Sequence, residues 1–160
     1  LFPSARVSLG GTQTNICSSG HNPEPLKIQF QQFSSVFMDK YPVYTLELDK
    51  SNIKKTQILE IVEYFQSKIK AHPIAKFISV FDHYTHTKEL NGEIDPSILD
   101  AQNIIFCFGP AIPNTKILAI RPRSIAIAEL TDKFVIEFIE APKEQIHQLM
   151  ESWAKGLENE

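Results

Sequence analysis

Polar and apolar residues alternate along VYTLEL, 43–48, with Tyr44, Leu46 and Leu48 on one side and Val43, Thr45 and Glu47 on the other. A period of two is that of a strand with one buried face. The period changes in TQILEIVEYFQSKIKA, 56–71, where Ile58, Ile61, Val62, Phe65 and Ile69 line up as one helical stripe. Pro73 ends that helix, because the residue before a proline avoids the helical region.

KFISVF, 76–81, and NIIFCF, 103–108, are compact runs of β-branched and aromatic residues that read as central strands. SIAIAEL, 124–130, and FVIEFIE, 134–140, flank the polar residues Thr131, Asp132 and Lys133, which predicts a hairpin. After Pro142, a favourable residue in a first helical turn, Ile146, Leu149, Met150, Trp153 and Leu157 share one helical face. A run of strands between two helices predicts an α+β domain with a mainly antiparallel sheet whose helices cover one face.

Residues 1–37 hold to no steady period and are rich in Gly, Ser, Asn, Gln and Pro. They are expected to form a weakly ordered N-terminal extension ahead of a single domain over 38–160. The alternative is an edge strand in LKIQFQQF, 26–33, where Leu26, Ile28 and Phe30 alternate.

A length of 160 residues suits one core. The 42% apolar and 22% charged fractions exclude a disordered chain. A net charge of -3 gives no general attraction to phosphate backbones, so nucleic acid is not an expected partner. The apolar runs are strand-sized, well short of the roughly 20 residues that span a bilayer, so neither is a membrane. Only Cys17 and Cys107 are present, which argues against a disulfide framework and for a cytoplasmic setting. Cys107, between Phe106 and Phe108, reads as a small structural hydrophobe.

Candidate chemistry gathers in two polar links. FDHYTHT, 81–87, follows an apolar strand. If it turns as a helix, His83 and His86 share one face and are weak candidates for a metal pair, with Asp82 or Glu89 as a further ligand. Alternatively, Asp82 and His83 form an acid/base pair, or the Asp82 carboxylate simply caps the following turn. No motif completes a metal site, and no cofactor is required by the sequence. In FGPAIPNTKILAIRPR, 108–123, Gly109 allows a sharp turn, and Asn114 or Thr115 would cap a short helix. Arg121 and Arg123 would supply charge for an anion; the alternative is a rigid turn with two solvated arginines. His72 suits a helix C-terminus, His147 is expected to face solvent, and Trp153 is expected to anchor the core.

Residues from about Ala75 to Pro142 resemble the domain-of-unknown-function family three-hundred-two. Asp82 and His83 match its strand-end Asp-His, Phe108 and Gly109 match its Phe-Gly, and Thr115 and Pro122 fall at matching distances. Pro110 and Ala111 stand where that family has Asn-Pro. The resemblance implies a β-α-β4-α order, a curved antiparallel sheet of the TATA-binding-protein-like class, and a homodimer. It implies no established activity.

The expectation is therefore a ligand-binding or regulatory module for a small molecule. Its pocket should lie between the two links and use Asp82, His83, Phe108, Gly109 and Thr115. The alternatives are an enzyme centred on Asp82, His83 and His86, and a purely structural interaction domain.

Overall fold

The computed structural model of the chain describes residues 32–160. Six strands form one open antiparallel sheet: β1 (Gln32–Phe37), β2 (Tyr41–Asp49), β3 (Ala75–Asp82), β4 (Asp100–Phe108), β5 (Arg123–Glu129) and β6 (Lys133–Ile139). Three α-helices accompany it: α1 (Ile58–Ala71), α2 (His83–Glu89) and α3 (Glu144–Gly156). The spatial order is β1-β2-β6-β5-β4-β3, every neighbouring pair antiparallel. The chain builds β1 and β2 at one edge and crosses through α1 to β3 at the other. It then steps back through β4 and β5 until β6 pairs with β2. The α+β class is thus as the periodicities predict.

The predicted faces are the buried ones. Tyr44, Leu46 and Leu48 of β2 point into the core with Ile104 and Phe106 of β4, Ile125 and Ile127 of β5, and Phe134, Ile136 and Phe138 of β6. Helix α1 covers this face with Ile58, Ile61, Val62, Phe65 and Ile69, and α3 adds Met150, Trp153, Ala154 and Leu157. Each such aliphatic or aromatic side chain contributes about 1.5–3 kcal/mol by leaving water. At the start of α1, the Glu60 carboxylate accepts the backbone N–H groups of Thr56 at 2.8 Å and Gln57 at 2.9 Å, two donors that the helix itself cannot satisfy.

Apart from β3, whose apolar run predicts a central strand but which forms the other edge of the sheet, three features differ from expectation. Strand β1 pairs with β2 from Gln32↔Leu46 to Phe37↔Tyr41, so the sheet starts six residues ahead of Met38. Residues 32–37 of the predicted extension are thus a paired strand, while residues 1–31, and with them most of the alternative strand over 26–33, lie outside the described residues. A strand whose partner lies beyond a short turn is held by that partner, which a composition reading does not weigh. Second, the polar link after β3 is an ordered helix, α2. Third, His147 is buried, not solvent-facing. Its ring meets those of Tyr44 and Phe138 edge-on, and its Nε2 lies 3.0 Å from Glu151 Oε1. Strands β2 and β6 supply the aromatic wall, Tyr44 and Phe138, that makes this polar position a core position.

Candidate functional site

The two polar links leave opposite ends of the sheet. Strands β3 and β4 run antiparallel, with Asp82 opposite Gln102 and Ala75 opposite Phe108. Six residue steps along β4 separate those rungs, roughly 20 Å at about 3.4 Å per residue. Asp82 and His83 are at one end of the sheet, and Phe108, Gly109 and the segment carrying Thr115 are at the other. The pocket expected between the links has no place in this topology.

At the first end, Asp82 is a helix cap. Its Oδ1 accepts the Thr85 backbone N–H at 2.9 Å and its Oδ2 accepts the Thr85 hydroxyl at 2.9 Å. The Thr85 N–H, with the hydroxyl's help, holds the Asp82 carboxyl below its ordinary range. With both oxygens engaged, Asp82 does not orient His83, whose Nδ1 lies 3.1 Å from Asn103 Oδ1. His83 and His86 are exposed, their ring centroids 6.3 Å apart, and the Phe81 ring lies about equally close to both, at 5.1 and 5.0 Å. Among the described residues, no three His, Cys, Asp or Glu side chains converge as a metal would require. Asp82 also borders a broad recess with Tyr84, Thr85 and Lys88, and neither histidine lines it.

The second end is built differently. Strand β4 leaves there, β5 enters, β6 leaves and α3 begins. Phe108 is buried, with its ring stacked on Trp153 at 5.7 Å and meeting His72 edge-on at 5.9 Å. The backbone then turns at Gly109, where φ is +81°, a conformation that favours glycine. The Gly109 N–H donates to the Ile74 carbonyl at 2.8 Å, and a Cβ at Gly109 would sit 3.0 Å from the Arg121 guanidinium. Asn114 caps the short 3-10 helix Thr115–Ala119 by accepting the Ile117 N–H at 3.2 Å, while Thr115 stays exposed. The capped helix expected in this link is present.

Between that helix and the start of α3 lies a hollow of about 50 Å³. Phe108, Ile117, Ile120 and Ile146 give it apolar walls, and Arg121, Arg123 and Lys143 bring positive charge. No carboxylate is among the described residues that line it. A second recess, of about 380 Å³, shares Ile120, Arg123 and Pro142 with it and extends to Tyr41 and Ile139. Arg121 donates from Nη1 to the Ala111 carbonyl at 2.8 Å. Arg123 donates from Nη2 to the Ile139 carbonyl, while its Nε is buried without a hydrogen-bond partner among the described residues. Burial holds the Arg123 guanidinium below its usual pKa.

Of the residues expected to form a ligand site, the structure brings Phe108 to the wall of this hollow and leaves Asp82, His83, Gly109 and Thr115 out of its lining. Ile117, Ile120, Lys143 and Ile146 were missed, since nothing in their local pattern separates them from ordinary helix and turn residues. Arg121 and Arg123 carried the one usable signal, a pair of arginines around a proline next to a stiff turn.

No helix among the described residues is long and apolar enough to cross a membrane. No curated protein and no solved structure matches the chain. A family model does match, over residues 32–159, and its family is not family three-hundred-two. The resemblance to that family is thereby overturned. Its short motifs have local explanations here, since Asp82 is an ordinary cap and Phe108–Gly109 is a strand end followed by a turn. The chain belongs to the family described as a family of unknown function, DUF6858.

Proposed function

We propose that this protein is a ligand-binding or regulatory module whose small-molecule site is the hollow between the Thr115–Ala119 helix and the start of α3. The observation that carries the reading is the hollow itself, where apolar walls meet the cationic Arg121, Arg123 and Lys143 with no carboxylate among the described residues that line it. An apolar recess with a few convergent polar groups is the usual form of a small-molecule site. The site stands on rigid elements: Phe108 and Arg123 are strand residues, and Ile146 is in the first turn of α3.

The enzyme reading finds less support, because Asp82 spends both oxygens on Thr85 and, among the described residues, no carboxylate pairs with the His83 or His86 ring. A thermal-shift screen of a broad panel of small molecules tests the proposal, run on the wild type and on Ile146→Trp, which fills the hollow. The expected result is stabilisation of the wild type, about 2.7 kcal/mol at a ligand concentration of about one hundred times Kd, that is lost in Ile146→Trp. Stabilisation that persists in Ile146→Trp would overturn the assignment of the site.

A further inference from the structure

Resting on the site proposed above, we infer that the hollow takes a small carboxylate with a short apolar tail, its anionic head on the arginine pair Arg121 and Arg123. Three features of the hollow select that chemistry. Size comes first. A water-sized group needs about 10–15 Å³ of such space, so 50 Å³ admits about three to five non-hydrogen atoms, the scale of acetate or propionate.

Charge comes second. Arg121 and Arg123 each commit one terminal nitrogen to a backbone carbonyl, Arg121 to Ala111 and Arg123 to Ile139. Those bonds fix the guanidinium planes without neutralising them. A guanidinium held in this way presents its remaining N–H groups as a fork, the geometry that a carboxylate matches with two parallel bonds. Lys143, just ahead of α3, adds a third positive charge.

The walls come third. Ile117, Ile120 and Ile146 offer methyl groups and no acceptor to a tail, which disfavours a fully hydrated anion such as inorganic phosphate and favours an alkyl chain. Longer acids have an exit, since the second recess shares Ile120, Arg123 and Pro142 with the hollow.

The test is a titration of the full 160-residue chain, followed by the backbone amide NMR signals of Ile117, Ile120 and Ile146. The probes are sodium propionate, propionamide, propylamine and sodium phosphate at matched ionic strength. Saturable shifts of these signals with propionate, weakened roughly tenfold or more in Arg123→Met, support the inference. Should Arg123→Met fail to fold, Ile146→Trp replaces it, with loss of propionate binding expected. If propionamide or propylamine binds as tightly as propionate, or phosphate binds and propionate does not, the carboxylate assignment is overturned while the hollow stands as a site. If no probe gives a saturable shift there, both the assignment and the proposed site fall.

Discussion

The Tyr64 hydroxyl of α1 donates a hydrogen bond of 2.6 Å to the Trp153 carbonyl oxygen of α3. The carbonyls of a last helical turn have no partner within the helix. Those of Ala154, Lys155 and Gly156 are met by the N–H groups of Leu157, Glu158 and Asn159, and that of Trp153 is met by Tyr64. One helix thus closes the end of the other. The approach is so close that a Cβ at Gly156 would run into the Tyr64 hydroxyl.

Tyr64→Phe is expected to cost about 1–2 kcal/mol, since it removes a bond and strands a buried acceptor. Gly156→Ala alone should cost about 1–3 kcal/mol by overpacking, although alanine is intrinsically the better helix former. In the Tyr64→Phe background the obstructing oxygen is gone, so Gly156→Ala should become about neutral. Urea unfolding of the four proteins measures the coupling; simple additivity would show that the contact is not the cause.

Stability should drain at alkaline pH. Burial, helped by the Glu160 charge, pushes the Tyr64 hydroxyl up to about 12, against 10.0 for a free tyrosine, and burial moves Tyr44 in the same direction. An acid whose folded pKa is raised favours folding while it is neutral in both states. Its contribution is therefore complete below pH 10 and lost as pH rises toward 12. Urea midpoints between pH 8.5 and about 11.5 should fall steeply in the wild type and less steeply in Tyr64→Phe.

Asp82 gives the opposite sign. Its carboxyl is held low by the Thr85 N–H, so its support for α2 is present above the ordinary carboxylate range and lost as pH falls through its depressed folded value. Asp82→Ala should destabilise by about 1 kcal/mol and loosen α2. Amide exchange in α2 reports this directly, and exchange unchanged in Asp82→Ala would remove the capping role. His83→Ala should leave global stability within about 0.5 kcal/mol, as an exposed surface position.

Removing residues 1–38 takes away β1 and exposes the edge of β2. Loss of a paired strand whose partner belongs to the core should lower Tm by several degrees, about what 1–2 kcal/mol yields in a chain of this size, and should promote edge-to-edge association. An unchanged Tm with a monomeric profile on size-exclusion chromatography would show that β1 is dispensable.

The capped turn at Asp82 and the capped 3-10 helix after Asn114 were legible in the sequence, because a short polar side chain ahead of a helical turn acts within three residues of itself. The hollow was legible only in part. Its arginines stood out as a pair, with Ile117 and Ile120 just ahead of them, but Phe108 and Ile146 are distant in sequence and join them only because β4, β5 and β6 share one end of the sheet. His147 failed for a similar reason. A polar residue on an amphipathic helix reads as solvated unless the facing strand is known, and here that strand brings Tyr44 against it.

The sequence by itself determined the faces: strand alternation and the helical stripes fix which side chains are buried, because side-chain direction follows from backbone period alone. It did not determine the ends. Which links meet depends on the direction and register of strand pairing, and the pairing of β2 with β6 joins segments separated by the whole middle of the chain. Antiparallel pairing of β3 with β4 moved Asp82 and His83 away from Phe108 and Gly109. The pairings of β4 with β5 and of β5 with β6 brought Phe108, Arg121, Arg123 and Ile146 around one hollow, an arrangement that only long-range contacts specify.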